Sequence, residues 1–274
     1  MSFISDRKKP IVIGMVHFSA LEGSDGFEGD KQLVLDRAME DLRTLQEGGV
    51  DAVLFENNFD TPKFAALPKQ VALHFEVLLE ALTPKTRVPW GISALWNDYA
   101  FGFRMCKKFG GVMVRVPVFV DSVLTTYGRF MAEPKKVLEA RRELDATEIL
   151  LLADVHVKHA ELIQPRPFEE STRAAVEAGA DAIIITGQWT GDPPSPEQCK
   201  LARKTVGAHM PILTGSGMTA ENVESFLPFI DGCIVGTAFK ERDIDFSTRQ
   251  GPNIVEAERR LDLEKIKKFM RAIY

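Results

Sequence analysis

No stretch of this sequence is apolar for long enough to cross a bilayer, which takes about twenty residues. The N-terminal segment MSFISDRKKPIVIGMV carries a few basic residues and then about six apolar ones, too short for a secretory leader. Cysteine is scarce: Cys106, Cys199 and Cys233 are odd in number, widely spaced and without a CxxC pair. That excludes a disulfide framework and points to a reducing, cytoplasmic setting. There is no excess of positive charge either. With 34 Lys and Arg against 39 Asp and Glu, the net charge is -5, which argues against a nucleic-acid footprint. Motifs are missing as well. No GxGxxG follows the first apolar run, no HxH pair occurs, and no motif marks a serine or cysteine nucleophile, ATP or haem.

What is present is a repeating alternation. Eight short apolar runs recur at Ile11–Val16, Ala52–Phe55, Trp90–Leu95, Val112–Val116, Ile149–Ala153, Ala182–Ile185, Ile212–Thr214 and Cys233–Val235. Several are continuous, as parallel strands buried on both faces are. Amphipathic segments lie between them. Leu35, Ala38, Leu42 and Leu45 follow helical spacing, as do Val71, Phe75, Leu78 and Leu82. Leu263, Ile266, Met270 and Ile273 give a closing helix over about 262–273, capped by Asp262. Eight strand–helix units predict an α/β chain folded as one (β/α)8 TIM barrel spanning residues 1–274.

A faint repeat accompanies the pattern. LQEGGVDAVLFEN (residues 45–57) and AVEAGADAIIITG (residues 175–187) share a helix end, a glycine stop and an Asp-Ala strand start. They fall in units 2 and 6, either as the mark of two fused half-barrels or as a junction that any α/β chain reuses.

Three connections exceed what a barrel needs: Ser19–Asp30, Pro117–Pro134 and Gly187–Pro196. All follow strands, which places them on the C-terminal face where barrel sites are built. Glu241–Leu261 is also long and polar, in keeping with a partly disordered segment or with one packed against a partner subunit in a homo-oligomer.

The strand ends carry the ionisable groups. His17, Glu56 with Asn57, and Arg115 close the first, second and fourth runs. The fifth continues ADVHVKHA, and if it stays extended, Asp154, His156 and Lys158 share one face. Such a set suits proton transfer or a divalent cation, while Lys158 neutralising Asp154 in an ion-pair ladder is the bland alternative. His74 and His209 read as structural and His159 as turning off the strand. Asn97 either meets ligand or caps the next helix, and Trp189 covers a ligand or meets a partner.

Residues 211–240, PILTGSGMTAENVESFLPFIDGCIVGTAFK, read as strand, glycine turn, a helix capped by Thr219, strand and second glycine turn. Gly215, Ser216 and Gly217 with Gly236 and Thr237 would offer backbone N–H groups to a phosphate between the seventh and eighth strands.

The segments PIVIGMVHFSALEGS, GGVDAVLFENNFDTP, ADVHVKHA, TGQWTGDPP and TGSGMTAENV…DGCIVGTAFK, in that order, resemble the BtpA family. The family takes its name from a photosystem I biogenesis protein and includes bacterial SgcQ-like proteins of sugar-operon context. The resemblance implies a TIM barrel akin to the ribulose-phosphate-binding group, with family motifs at His17, Glu56, Asn57, Asp154, Lys158, Gly187, Gly215, Gly217 and Gly236. It implies no settled reaction. The expectation is an enzyme acting on a sugar or nucleoside-derived phosphate, as an isomerase, epimerase or aldolase-like lyase. A non-catalytic assembly factor is the alternative, and a metal-dependent hydrolase using Asp154-x-His156 the third.

Overall fold

The computed structural model describes Ile4, residues 9–241 and residues 259–274. Most of the polar segment 241–261 therefore lies outside the described residues.

Eight parallel strands close into a barrel. They are β1 (Ile11–His17), β2 (Ala52–Glu56), β3 (Trp90–Ser93), β4 (Met113–Val116), β7 (Leu150–Val155), β9 (Ala182–Ile185), β10 (Ile212–Thr214) and β11 (Gly232–Val235). Each pairs with its neighbour in chain order, and β1 pairs with β11 to shut the ring. Six helices lie between them: α1 (Lys31–Gly48), α2 (Lys69–Leu82), α3 (Tyr99–Phe109), α4 (Pro134–Glu143), α5 (Phe168–Glu177) and α6 (Pro196–Val206). A seventh, α7 (Leu263–Ile273), follows β11, with the Asp262 carboxylate accepting from the N–H groups of Glu264 and Lys265.

The strands read as continuous apolar runs because each side of the sheet is covered. Ile11, Ile13 and Met15 point into the barrel with Leu54, Met113, Leu152, Ile184, Leu213 and Ile234. Val12, Val16, Val53 and Phe55 point outward against the helices. Strand alternation then decides what comes next at the C-terminal end. The next inward positions are His17, Glu56, Arg115, Asp154, Gly215 and Gly236, all polar or side-chain-free. The apolar core thus ends one layer below the mouth.

Two features depart from the sequence reading. The helix expected after β10 is absent. Its place is taken by turns and a single 3₁₀ turn at Val223–Ser225. Thr219 does accept from the Glu221 N–H, but the Asn222 side chain also bonds the Thr219 N–H and the Gly217 carbonyl. Such local side-chain bonds compete with helix propagation. The second feature lies in the loop after β4, which folds as a hairpin of β5 (Val123–Thr125) and β6 (Gly128–Phe130). With β8 (Glu161–Leu162) it forms a three-stranded sheet over the mouth, packed through Trp96, Val118, Val123, Phe130 and Val157.

The repeat seen in the sequence has a structural reason. Asp51 and Asp181, each just before a strand, accept from Val12 N–H and Leu151 N–H at 2.8 Å, at the start of the adjacent strand. Asp231 does the same for Ile212 at 2.7 Å. A third copy in unit 8 favours a reused junction over fused half-barrels.

Candidate active site

The mouth encloses a cavity of about 380 Å³. On its floor, four side chains from four strands make contact in a line. Arg115 from β4 donates from Nε and Nη2 to both oxygens of Asp154 on β7, at 2.8 Å each. Its Nη1 lies 3.8 Å from Glu56 Oε2, and Glu56 Oε1 lies 3.5 Å from His17 Nε2. Glu56 Oε2 is buried and accepts no hydrogen bond among the described residues. Burial opposes the charge of Arg115, but the Asp154 and Glu56 carboxylates outweigh it and hold the guanidinium above its ordinary pKa.

His17 is the neutral member. Burial first, then the fields of Lys240, Lys158, Arg115 and Lys63, hold its pKa well below the usual imidazole range. Four cations thus act on one imidazole, of which Arg115 is paired with Asp154 and Glu56 and Lys240 lies 3.9 Å from Asp41.

Lys63 was not singled out in the sequence. It lines the cavity, and burial lowers its pKa to about 8 against the opposing pull of Asp60 and Glu56. Its Nζ donates to the carbonyls of Asn57 at 3.3 Å and Asn58 at 2.7 Å. What brings it there is tertiary. The Thr61 N–H donates to Ser24 Oγ, and the Asp25 N–H donates to the Thr61 carbonyl. The long loop 19–30 therefore braces the loop that carries Lys63 and does not itself line the cavity. His74 is part of that brace, since its Nδ1 accepts from the Glu22 N–H at 2.9 Å.

Several expected residues fall elsewhere. His156 does not share a face with Asp154, because β7 ends at Val155 and His156 turns with φ 51°. Its Nε2 lies 3.1 Å from Ser171 Oγ, and its ring meets Phe168 edge-on. Asp154 is neutralised by Arg115 and not by Lys158, which lines the cavity separately. Asn57 faces the neighbouring loop, donating to Asp60 and to the Leu95 carbonyl and accepting from the Leu95 N–H. Asn97 is a buried tie to Val118, while Asp98 caps α3. With His156 turned away, the Asp154-x-His156 metal pair is not formed. Among the described residues no three His, Cys, Asp or Glu side chains are grouped to hold a metal ion.

The two glycine turns do line the cavity, through Gly215, Ser216, Gly217, Gly236 and Thr237. Among the described residues, no protein acceptor is paired with the backbone N–H of Ser216, Gly217, Gly236 or Thr237. The Ser216 hydroxyl is committed elsewhere, accepting from Gly187 N–H and donating to the Asp192 carbonyl. Gly187 is accordingly a packing position: a Cβ there would lie 2.1 Å from the Asp192 carbonyl oxygen. Gly217 combines φ 67° with equally close contact to Pro193, so only glycine fits. A Cβ on Gly236 would lie 2.7 Å from His17 Cε1.

A further imidazole gives a pH prediction. His159 also lines the cavity, its Nε2 lying 2.7 Å from Thr190 Oγ1, and burial, then Lys158 and Lys63, lower its pKa to about 4. The unfolded chain binds the proton near pH 6.5 and the folded chain only well below, so stability falls as pH drops from 6.5 toward 4. At pH 5 the loss from His159 is about 2 kcal/mol. Urea midpoints between pH 7.5 and 5 should decline, and His159→Gln should flatten the decline. An unchanged slope in that variant would refute the assignment.

The fold and sequence place the chain among known proteins. A model of the BtpA family matches residues 7–273. An uncharacterized protein of Pyrococcus furiosus is 37% identical, over 88% of this chain and 90% of that one. The photosystem I biogenesis protein BtpA of Synechocystis sp. is 32% identical over 84% of this chain and 80% of its own. Among solved structures, thiamine phosphate pyrophosphorylase from Pyrococcus furiosus superposes with a TM-score of 0.57 at 12% identity, covering 99% of this chain and 98% of that one. That likeness shows the fold, a (β/α)8 barrel shared with the ribulose-phosphate-binding-barrel enzymes. The chain belongs to the BtpA family.

Proposed function

We propose that this protein is an enzyme acting on a phosphorylated small molecule, with the phosphate held by the turns after β10 and β11. One observation carries the reading: four backbone N–H groups, at Ser216, Gly217, Gly236 and Thr237, border a cavity also lined by Lys63, Lys158 and Lys240, and have no protein acceptor among the described residues. N–H groups without a protein acceptor at a cavity wall are free to donate, and a phosphate oxygen is a strong acceptor for them. Solved neighbours of the same fold, such as thiamine phosphate pyrophosphorylase and phosphoribosylanthranilate isomerase, are named for phosphorylated small molecules, whereas the relatives' names give no substrate.

Proton transfer falls to the ends of β1 and β2, next round the ring from β11, and to the loop after β2. The Glu56 carboxylate, with one oxygen free of hydrogen bonds, takes a proton from carbon or hydroxyl. Neutral His17 and Lys63 donate toward the developing oxyanion. Lys63, with a pKa near 8, is able to exchange a proton at working pH. This set suits isomerisation, epimerisation or aldol-type cleavage, in which every step moves a proton beside a carbonyl. A divalent cation has no ready-made group of ligands here.

Thermal-shift screening of sugar and nucleoside phosphates tests the reading. A compound at about a hundred times its Kd stabilises the fold by about 2.7 kcal/mol. Phosphorylated members should raise the midpoint and their dephosphorylated forms should not. If no phosphorylated compound shifts it, the catalytic reading fails and a non-catalytic assembly role takes its place. Once a substrate is found, kcat/KM should show a limb near pH 8 that Lys63→Met abolishes.

A further inference from the structure

The mouth is divided by chemistry in the order of its strands. The turns after β10 and β11 contribute backbone N–H groups, and the ends of β1 and β2 with the loop after β2 contribute His17, Glu56 and Lys63. The loops after β3 and β4, across the ring from the glycine turns, contribute Leu95, Trp96, Pro117 and Tyr127, and the loops after β7 and β9, which lead round to β10, contribute Val157 and Trp189. These include the tryptophans and the tyrosine of the lining, whose other apolar members are Met15, Met218, Ile234, Val235 and Ala238.

The aromatic wall is a built feature. Trp96 is buried and meets Phe130 of the hairpin at 5.5 Å, the two rings tilted by 32°. The hairpin turn is fixed, with Thr125 Oγ1 donating to the Gly128 carbonyl and accepting from Tyr127 N–H. That turn sets Tyr127 over the cavity. On the far side, Trp189 lies 5.5 Å from the His159 ring, which is itself tied to Thr190. Polar atoms at this wall await a partner. His159 Nδ1 is buried with no hydrogen bond, and the Tyr127 hydroxyl has none among the described residues.

We propose that this wall binds a planar, heteroatom-bearing ring, so that the ligand is a ribosyl phosphate carrying a heterocycle, of the nucleoside 5′-monophosphate class. The proposal rests on the phosphate reading above and narrows it. Indole and phenol faces stack on a flat ring at little conformational cost. An alkyl chain would offer the Tyr127 hydroxyl no partner, whereas the edge of a heterocycle supplies one. A bare pentose phosphate would reach the glycine turns and the acid–base groups but leave the aromatic side open to water. At about 380 Å³ the cavity is within the range of sites that enclose a whole small ligand.

Calorimetric titration of the full chain with inorganic phosphate, ribose 5-phosphate, the four common ribonucleoside 5′-monophosphates and their nucleosides tests this. At least one monophosphate should bind tenfold or more tightly than ribose 5-phosphate. Tyr127→Ala and Trp189→Ala, checked for folding by circular dichroism, should each erase that margin while ribose 5-phosphate binds as before. If no monophosphate reaches tenfold, or if the margin survives both substitutions, the ring site is wrong and the phosphate site stands. If nucleosides bind with the same sensitivity to both variants while phosphate and ribose 5-phosphate do not bind, the ring site stands and the phosphate reading falls. If nothing in the series binds, both are overturned.

Discussion

Asp154→Asn should lower the stability of the fold by about 3–5 kcal/mol, the cost of breaking a buried ion pair by removing one partner. The Asp154 side chain is fully buried and Arg115 nearly so, and both hydrogen bonds between them measure 2.8 Å. Asparagine keeps the volume and one acceptor but removes the charge. Arg115 would then be left in the barrel interior with only Glu56, at 3.8 Å, to neutralise it. At roughly 2 °C per kcal/mol for a chain of this size, the melting midpoint falls by about 6–10 °C. The double variant Arg115→Met/Asp154→Leu should recover most of the loss, because no charge then remains to be compensated. A single variant that melts within about 2 °C of the parent would show that the pair contributes little. The cost follows because the partner of Asp154 is the buried Arg115 and not Lys158.

Which parts of the site could be read from sequence follows from the period of the strand. His17, Glu56 and Arg115 stand where an apolar alternation gives way to a charge, and that alternation is written in the residues. The same rule failed at His156 by a single position. Extending the fifth strand past Val155 puts His156 beside Asp154, but the chain leaves the sheet at that residue with φ 51°. Nothing in ADVHVKHA marks the break. The glycine turns were legible because glycine at a strand end has few other uses. The missing helix after β10 was not, because Asn222 defeats it through bonds to Thr219 and Gly217 that depend on the folded turn.

Lys63 and Tyr127 were out of reach for different reasons. Lys63 sits well past the end of β2, and its approach to the cavity depends on Ser24 holding Thr61. No local pattern encodes that contact. Tyr127 did have a signal. VLTTYGRF alternates about a turn that ends in a glycine, here with φ 109°, as a tight hairpin does. The segment was long enough to flag as a loop, and its internal pairing was the part overlooked.

Gly236→Asp should weaken a phosphorylated ligand by at least two orders of magnitude, about 3 kcal/mol at 1.4 per decade. Three effects converge. The carboxylate would lie where the phosphate is to bind, and each hydrogen bond from an N–H to a charged group is worth about 1.5–3 kcal/mol. The new Cβ would also come within 2.7 Å of His17 Cε1, so the imidazole must move from its place beside Glu56. Only a three-residue 3₁₀ turn, Thr237–Phe239, follows Gly236, so the anion depends on the amides themselves and gains little from a helix dipole. Gly236→Ala separates the effects, because it displaces His17 without adding charge. The alanine variant should lose activity while keeping phosphate affinity within about tenfold, and the aspartate variant should lose both. Crystals grown in high phosphate or sulfate supply the direct test. An anion should lie within hydrogen-bonding distance of the Ser216, Gly217, Gly236 and Thr237 amides, and a mouth empty of anion there, or a folded Gly236→Asp protein with unchanged ligand affinity, would refute the site.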